Sequence, residues 1–268
     1  MYFKNTPIEK IQDAFSVAGK NVVVTGGNRG IGRGVAEAFA QGGANVAVVC
    51  RNEESGKQAC EELAQYGGRY KCFQADVSDR ESARKASEAI IEWFGTVDVL
   101  VNNAGVASTT PFFSEKGLDE WHRVIDTNLH GMANMVYYIG PNMNKSGKGG
   151  AIINISSVGS MRVSGSKESP KPSYNASKAG IDIFSRYLAL VMGDYGVRVN
   201  SLVLGPVHTD LDKLHDASYF VGMEEKLPTH RIANPIEVGA LCVYLASPAG
   251  CQLTGGNIPF DGGLLCVI

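Results

Sequence analysis

The sequence predicts an α/β protein with a doubly wound parallel sheet, and three observations lead to this prediction. Short apolar runs alternate along the chain with helical patterns of about 10–15 residues. The apolar runs are continuous rather than interrupted by polar residues, which indicates strands covered on both faces. No linker, repeat or low-complexity stretch divides the series. Successive strand–helix–strand units of this kind form one parallel sheet with right-handed crossovers.

The elements follow one another in a regular order. The predicted strands are Asn21–Thr25, Ala44–Cys50, Tyr70–Ala75, Val97–Asn102 and, after the turn Ser146–Gly150, Ala151–Ile155. The helical patterns between the first four strands are Ile31–Phe39, Glu53–Tyr66 and Ser78–Phe94. Ser78 and Glu81 are spaced as a capping box at the start of the last helix. Two further strands are expected downstream, for a total of about seven.

Composition predicts one soluble domain and excludes several classes of partner. The chain has 268 residues, of which 44% are hydrophobic, and a formal net charge of −2. We therefore expect a leader at 1–18, a single domain at 19–268 and no general attraction to nucleic acid or anionic lipid. The N-terminus is mixed and charged rather than a signal sequence, and the apolar runs are shorter than a membrane span. These features predict a cytoplasmic protein without a membrane partner.

The cysteines predict neither a disulfide framework nor a metal site. Six cysteines occur singly, without a Cys-x-x-Cys pair or a histidine at ligand spacing. They are interpreted as buried free thiols in a reducing compartment.

A glycine-rich turn directly follows the first strand and opens the first helix. Its sequence at 25–32 is TGGNRGIG. Glycine allows a tight turn and a close approach of the backbone to a pyrophosphate, and the helix N-terminus offers unpaired N–H groups to the anion. A glycine cluster alone is often an ordinary turn, but this context predicts a Rossmann-like dinucleotide site. The residues expected to contact the dinucleotide here are Gly26, Asn28, Arg29, Gly30, Ile31 and Gly32.

The end of the second strand indicates which dinucleotide binds. NAD sites carry an acid there for the ribose 2′-hydroxyl, whereas NADP sites need a cation for the 2′-phosphate. This chain has Cys50-Arg51 and no acid before Glu53, and Arg29 could converge on the same phosphate. A guanidinium suits a phosphate because it offers several donors in a planar fork. The sequence favours NADP(H); the alternative is that both arginines are solvated surface charges.

Tyr174 and Lys178 form the candidate catalytic pair. They are four residues apart, so they lie on one face of a helix. A free phenol has a pKa of about 10, and lowering it by about three units requires ~4 kcal/mol, which an ammonium one turn away could supply. Taken alone, this spacing also occurs on ordinary helix surfaces.

Other motifs accompany that pair in a recognisable order. The fifth strand ends in Ile155-Ser156-Ser157, which places a hydroxyl where ligands of open α/β sheets bind. With these motifs the chain resembles the short-chain dehydrogenase/reductase family in its compact single-domain form. The matching motifs are TGGNRGIG at 25–32, Asp76-Val77, NNAG at 102–105, Asn128, Ser157, YNASK at 174–178, Thr254-Gly255 and Asp261-Gly262-Gly263.

The resemblance implies a role for each matching residue. Tyr174 would be the general acid in reduction and the general base in oxidation, and Ser157 would bind the substrate carbonyl oxygen. Lys178 would lower the tyrosine pKa and hold the nicotinamide ribose, and Asn128 would anchor a water in the proton relay. The remaining implied cofactor contacts are Asp76 and Val77 at the adenine, Asn103, Ala104 and Gly105 at the adjoining ribose and phosphates, and Gly205, Val207 and Thr209 towards the nicotinamide.

The chain departs from the family pattern in two places. It has Leu204-Gly205-Pro206 where Pro-Gly is usual, which makes the loop near the nicotinamide less certain. The spacing from Ser157 to Tyr174 is longer than usual because of the polar segment 161–173. Ser156 is the alternative catalytic hydroxyl; Ser157 is preferred because it directly precedes the Val158-Gly159 turn.

The substrate class stays open at this stage between two chemistries. A lid is predicted at 208–234. Its apolar residues would suit a bulky ketone such as a steroid, whereas the polar segment 161–173 would suit a sugar or polyol. The apolar residues concerned are Leu211, Leu214, Tyr219, Phe220 and Met223. The lid histidines, at 208, 215 and 230, are too loosely spaced for a metal site.

Apolar segments predict contacts between subunits or within the chain. The apolar helix Ala179–Met192 and the tail Leu264–Ile268 are expected to be covered, and the resemblance implies a homotetramer. Ile8, Ile11 and Phe15 share a helical face that could dock on this or a neighbouring subunit.

The predicted activity is reversible hydride transfer between NADP(H) and a secondary alcohol/ketone pair. One alternative is an NADP(H)-binding sensor without turnover, which would not need a tuned phenol. The other is a sugar epimerase or dehydratase, which normally has a larger substrate domain.

Overall fold

A parallel seven-stranded sheet forms the centre of the molecule, as the sequence predicts. The computed structural model describes residues 8, 10–143, 145, 147, 149–167, 169–209 and 222–267. The strands are β1 Asn21–Thr25, β2 Asn45–Cys50, β3 Tyr70–Gln74, β4 Val99–Asn102, β5 Gly150–Ser157, β6 Val197–Leu204 and β7 Asn257–Phe260. Their order in the sheet is β3-β2-β1-β4-β5-β6-β7, with every neighbouring pair parallel.

Helices cover both faces of the sheet. They are α1 Ile11–Ala14, α2 Gly30–Gln41, α3 Glu53–Leu63, α4 Arg80–Phe94, α5 Gly117–Ile125, α6 Gly131–Ile139, α7 Pro172–Met192 and α8 Pro235–Ala246. One core lies between the sheet and α4, α6 and α7, and the other lies between the sheet and α2, α3 and α8. Burial on both sides explains why the strands are almost uniformly apolar.

The strand order reverses between β1 and β4, which are neighbours in the sheet. Val24 of β1 pairs with Val101 of β4, and the connections from these two strands leave in opposite directions. Beyond the carboxyl ends of the two strands the loops diverge and leave a crevice, which is where open α/β sheets bind ligands.

Helices α2 and α8 pack closely because glycines stand at their contact. A Cβ at Gly34 would lie 2.4 Å from the carbonyl carbon of Pro235. A Cβ at Gly239 would lie 2.5 Å from the Cβ of Ala38 and 2.7 Å from the carbonyl oxygen of Gly34. The glycines therefore set the separation of the two helices, and with it the position of the α2 N-terminus beneath the crevice.

The capping box predicted at Ser78 and Glu81 is wrong. Asp79 caps α4, and its side chain accepts a hydrogen bond of 2.6 Å from the Ser82 backbone N–H. The Ser78 hydroxyl instead donates to Asp76 Oδ1 at 2.6 Å. The adjacent carboxylate is the stronger acceptor for the helix N-terminus, so the helix begins one residue later than the pattern indicates.

The two chain ends are held by different contacts. Ala14 and Val17 are each 1% exposed, and the ring of Phe15 lies 6.1 Å from that of Tyr244. The leader thus docks on its own chain, although Ile8 and Ile11 stay exposed. At the other end Leu264 is buried, while Cys266 and Val267 are exposed and residue 268 lies outside the described residues.

The cysteines are free, as predicted, but they are not all buried. Cys50 and Cys242 are buried, Cys60 and Cys72 are partly exposed, and Cys251 and Cys266 are exposed. Cys251 directly follows the 3-10 turn Pro248–Gly250, and Cys266 ends the 3-10 turn Leu264–Cys266, so an apolar sequence context does not ensure burial at either position.

Candidate active site

Helix α7 places the candidate catalytic pair beside the carboxyl end of β5. It begins at Pro172, and proline fits the first helical turn because its missing N–H is not needed there. The Tyr174 side chain lies beside Ser157, whose hydroxyl acts on the phenol. Burial raises the pKa of Tyr174, and the hydrogen bond with Ser157 acts in the opposite direction.

The structure distinguishes between the two candidate serines. Ser157 is partly exposed, and its Oγ accepts a hydrogen bond of 3.2 Å from the Gly159 backbone N–H. Ser156 is 2% exposed and donates to the backbone oxygen of Lys178 at 3.3 Å. Only Ser157 therefore presents its hydroxyl at the crevice next to Tyr174.

Lys178 is 5% exposed and lies between the helix and the sheet. Its Nζ donates to the Ile155 backbone oxygen at 2.7 Å and lies 5.5 Å from the centroid of the Tyr174 ring. Burial lowers the pKa of Lys178 to about 8, and the nearby Asp182 opposes this shift. The expected lowering of the Tyr174 pKa by Lys178 is not observed, because burial dominates that pKa and Ser157 is the group that lowers it.

Asn128 lies in a π-helical turn, Asp126–His130, that joins α5 to α6. It is 1% exposed, and its side chain makes three hydrogen bonds. Oδ1 accepts from the Val106 backbone N–H at 2.8 Å, while Nδ2 donates to the Val106 oxygen and to Ser177 Oγ, both at 3.0 Å. Ser177 in turn donates to the Tyr174 backbone oxygen at 2.8 Å. Asn128 therefore braces the loop after β4 against the helix turn that carries Tyr174.

The glycine turn forms one wall of the crevice. Gly26 and Gly30 have positive φ angles of 66° and 52°, conformations that favour glycine. A Cβ at Gly32 would lie 2.2 Å from the Gly26 backbone oxygen. Asn28 Nδ2 donates to Ser55 Oγ at 2.8 Å, which ties the turn to α3, and Arg29 is exposed.

Thr25 is an organising residue that sequence reasoning missed. Its Oγ1 accepts from the backbone N–H groups of Asn103 and Ala104, at 2.9 and 3.0 Å. Asn103 Nδ2 donates back to the Thr25 oxygen at 2.9 Å. A threonine at the last position of a strand before a glycine turn was the available signal. The NNAG segment, including Gly105, is thus held against the glycine turn across the crevice.

A pocket of about 330 Å³ opens beyond the ends of β2 and β3. Its lining residues are Arg51, Gln74, Ala75, Asp76 and Ser82. Arg51 is exposed, and within the described part of the chain its guanidinium has no ion pair or hydrogen bond. The Val77 side chain is 6% exposed and packs in the core, where a Cβ at Gly131 would lie 2.7 Å from it. Any contact from Val77 to a ligand therefore comes from its backbone.

These features fit a dinucleotide. The glycines leave open a space beside the backbone of the turn that a Cβ would fill, which suits a pyrophosphate. The pocket at the ends of β2 and β3 carries the unpaired cation of Arg51 at its rim.

Comparison with known proteins agrees with this geometry. A family model described as "Enoyl-(Acyl carrier protein) reductase" matches residues 26–265. The chain belongs to the short-chain dehydrogenase/reductase family. Members of this family bind a nicotinamide cofactor, so the protein is a nicotinamide-dependent oxidoreductase.

Three relatives cover nearly the whole chain. A sorbose reductase from Candida albicans is 34% identical over 257 residues, which are 96% of this chain and 90% of the relative. An L-rhamnose 1-dehydrogenase (NAD(P)(+)) from Azotobacter vinelandii is 35% identical over 253 residues, or 91% and 96% of the two chains. The crystal structure of a short-chain type dehydrogenase/reductase from Mycobacterium marinum superposes with a TM-score of 0.88 at 31% identity, covering 96% of this chain and all of that one.

The loop after β6 of this short-chain dehydrogenase/reductase packs beside the glycine turn and the end of β7. A Cβ at Gly205 would lie 2.6 Å from the Cα of Asp261, so glycine is needed there for packing against the end of β7. Val207 forms a bridge with Ala233. Thr209 lies beside the glycine turn, since a Cβ at Gly30 would be 3.7 Å from its Cγ2.

The structure describes only part of the predicted lid. The central portion, 210–221, lies outside the described residues and includes Asp210, Leu211, Leu214, His215, Tyr219 and Phe220. Met223 is partly buried against a small cluster that includes Leu227 and Ile232. In the segment 161–173, Gly165 bridges Pro170, and Ser164 Oγ donates to Asn175 Oδ1 at 2.5 Å.

Metal and membrane features were searched over the described residues. No cluster of three or more His, Cys, Asp or Glu side chains there could hold a metal ion. None of the helices in that part of the chain is both long and apolar enough to cross a membrane.

Proposed function

We propose that this short-chain dehydrogenase/reductase transfers a hydride reversibly between NADP(H) and a secondary alcohol/ketone pair. One arrangement carries the proposal: Tyr174 lies beside Ser157 at the mouth of the dinucleotide crevice, with Lys178 buried one helical turn further along the same helix. A protein that only binds a dinucleotide has no use for a phenol paired with a substrate-facing hydroxyl.

The side chains divide the remaining chemistry between them. The nicotinamide, when bound, supplies the hydride-transfer chemistry in both directions. Ser157 donates a hydrogen bond to the substrate carbonyl oxygen and stabilises the charge that develops there. The Tyr174 hydroxyl gives its proton to that oxygen in reduction and takes it back in oxidation. Since the two side chains lie beside each other, a single substrate oxygen can contact both hydroxyls.

Lys178 supports the tyrosine and the cofactor ribose. Burial disfavours the phenolate of Tyr174, so the base form depends on hydrogen bonding and on a nearby positive charge. The Lys178 ammonium is 5.5 Å from the ring and is fixed by the Ile155 oxygen, which leaves its other N–H groups available for a ribose hydroxyl. Asn128 keeps this part of the site rigid, because both of its amide donors are already used.

The cofactor is proposed to be NADP(H) rather than NAD(H). Arg51 lines the pocket at the end of β2 and has no ion pair in the described chain, and Arg29 is exposed on the adjoining turn. A 2′-phosphate would satisfy both charges, whereas the 2′-hydroxyl of NAD would leave them unpaired. The similarity to a rhamnose dehydrogenase named as NAD(P)-dependent supports a site that accepts the phosphate.

The substrate is proposed to be a sugar or polyol rather than a hydroxysteroid. The relatives named for sorbose and rhamnose act on polyhydroxylated molecules and align with almost the whole chain. The segment 161–173 beside Tyr174 is rich in hydroxyl and lysine side chains, which suit ligands with many hydroxyl groups.

Self-association is proposed from one face of α7. Ile183, Tyr187 and Leu190 are exposed by 64, 58 and 76% and recur at helical spacing. A second copy of the chain would bury this apolar stripe, and a homotetramer is the proposed assembly.

Replacing Tyr174 with Phe tests the proposed chemistry. The variant loses the transferable proton but keeps the ring, so kcat/KM for sugar ketone reduction is expected to fall by about 10²–10⁴-fold. NADPH affinity, measured by nucleotide fluorescence, should change little. The control is Tyr66→Phe, which removes a phenol hydroxyl from the turn after α3 and should retain full activity. Unchanged turnover in Tyr174→Phe would show that the mechanism is wrong.

A further inference from the structure

Asp182 is a buried carboxylate that the proposed mechanism does not use. It lies one helical turn beyond Lys178 on α7, so Tyr174, Lys178 and Asp182 follow each other on the same face. The residue is 6% exposed. Ser201 of β6 donates a hydrogen bond to Asp182 Oδ1, which fixes the carboxylate between the helix and the sheet.

The surroundings of Lys178 contain few other charges. On α7 it faces Tyr174 and Asp182; from β5 it meets the Ile155 oxygen and the end of the strand. Of the elements packed against α7, the π-helical turn contributes Asn128 and β6 contributes Ser201. Charged groups on α5 and on the π-helical turn pair with one another: Glu120 with Arg123 on α5, at 2.8 Å, and Asp126 with His130 on the π-helical turn, at 2.9 Å. Within the described chain Asp182 is the one ionisable group whose charge acts appreciably on the Lys178 ammonium.

Burial and charge act on Lys178 in opposite directions. Removal from water favours the neutral amine, and a carboxylate within one helical turn favours the ammonium. The two effects leave the pKa of Lys178 at about 8, close to the pH at which the enzyme must keep the group charged. Losing the carboxylate would therefore lower the pKa of Lys178 further.

We propose that Asp182 is a positioning residue that keeps Lys178 protonated, and that Ser201 fixes its carboxylate for this purpose. The geometry carries the inference: three ionisable side chains at successive turns of one buried helix face, with the last held by a hydroxyl from the neighbouring strand. The effect of Asp182 on the charge of Lys178 is inferred from the structure alone. The effect of Asp182 on catalysis rests on the proposed function.

The first test measures the Lys178 pKa directly. The purified full chain, with lysine labelled by ¹³C at Cε, is titrated by NMR, and the Lys178 signal is identified by its absence in Lys178→Arg. Asp182→Asn removes the charge at constant shape and should lower the Lys178 pKa by about one unit. Asp194→Asn, an exposed acid two residues beyond α7, is the matched control and should leave it unchanged.

A second neutral variant guards against misfolding. Asp182→Ser is titrated beside Asp182→Asn, and circular dichroism establishes which of the two is folded. Ser201→Ala retains the carboxylate and should shift the Lys178 pKa less than either. A folded neutral variant with an unchanged Lys178 pKa would overturn the proposal.

The second test is the pH profile of kcat/KM for alcohol oxidation. Because the profile falls when Lys178 loses its proton, its alkaline limb in Asp182→Asn should move to lower pH by about the same interval. A structural role alone would lower the whole profile without moving that limb, and this result would contradict the proposal. If the NMR shift occurs but the unmodified chain turns over no alcohol, the proposed function fails while the role of Asp182 in charging Lys178 stands.

Discussion

Burial shifts the pKa values of Tyr174 and Lys178, the ionisable pair at the centre of the site, in opposite directions. The pKa of Tyr174 is raised and the pKa of Lys178 is lowered, so burial alone favours both neutral forms. Catalysis in the oxidative direction instead requires a phenolate beside an ammonium. Ser157 acts against burial at Tyr174, and Asp182 acts against burial at Lys178, so each charged form depends on a different neighbour.

At the residue scale, Arg51 is expected to discriminate between the two nucleotides. In Arg51→Asp the cation is lost and a carboxylate appears where an NAD site places one. NADPH affinity should fall by about 10–100-fold, because a charge-assisted hydrogen bond contributes roughly 1.5–3 kcal/mol. NADH affinity should remain the same or improve. Fluorescence titration with both nucleotides gives the two dissociation constants.

A charge-matched variant separates this local effect from a general one. Lys10→Asp reverses the same charge at an exposed position near the N-terminus, away from the pocket at the ends of β2 and β3. It should leave both affinities unchanged. An equal loss of NADPH and NADH affinity in Arg51→Asp would contradict the role given to the guanidinium.

Residue roles were predictable from sequence where the contacts are local. The spacing of Tyr174 and Lys178 indicates a shared helix face, and the position of Ser157 at a strand end indicates a crevice. The hydrogen bonds from Lys178 to the Ile155 oxygen and from Ser201 to Asp182 join segments that are distant in the sequence, so no local sequence pattern predicts them. The prediction of the α4 cap failed for another reason. Ser78 and Asp79 are adjacent and both suit the N-cap position, and the carboxylate of Asp79 takes it.

At the element scale, the contact between α2 and α8 is a sensitive point for stability. In Gly239→Ala the new Cβ would meet Ala38 at 2.5 Å and the Gly34 oxygen at 2.7 Å. The helices must separate, so the free energy of unfolding should fall by about 1–3 kcal/mol. Urea denaturation followed by circular dichroism measures the change.

Gly193→Ala is the corresponding control. This glycine lies in the turn after α7, and a Cβ there meets no atom within 4 Å. Its φ of −57° suits alanine, so the exchange should be neutral or stabilise by a few tenths of a kcal/mol. Equal stability of the two variants would show that the glycine contact does not set the helix separation.

At the scale of the whole molecule, the exposed stripe on α7 is expected to govern assembly. The double variant Ile183→Glu, Leu190→Glu places charges in the proposed interface and should yield a smaller species than the unmodified protein. Light scattering coupled to size exclusion gives the masses. Val163→Glu changes an apolar residue that is 86% exposed elsewhere and should not alter the assembly. A monomeric unmodified protein would contradict the proposal.

Most of the architecture was predictable because the periodic signals are strong. Continuous β-branched runs such as Asn21–Thr25 specify buried strands, and the glycine turn at 25–32 specifies the crossover. The length of α1 was harder to predict. The helical face shared by Ile8, Ile11 and Phe15 indicates a longer helix than the four residues observed. That segment is anchored by small side chains, Ala14 and Val17, which leave little trace in hydrophobic periodicity.

The hydrogen bonds made by Thr25 affect how much the crevice must rearrange when it binds a ligand. They join the turn after β1 to the segment after β4, so the two loops that border the crevice are connected directly by hydrogen bonds. These hydrogen bonds hold the two loops in a fixed relative position before a dinucleotide binds. The loss of chain entropy on cofactor docking is therefore small.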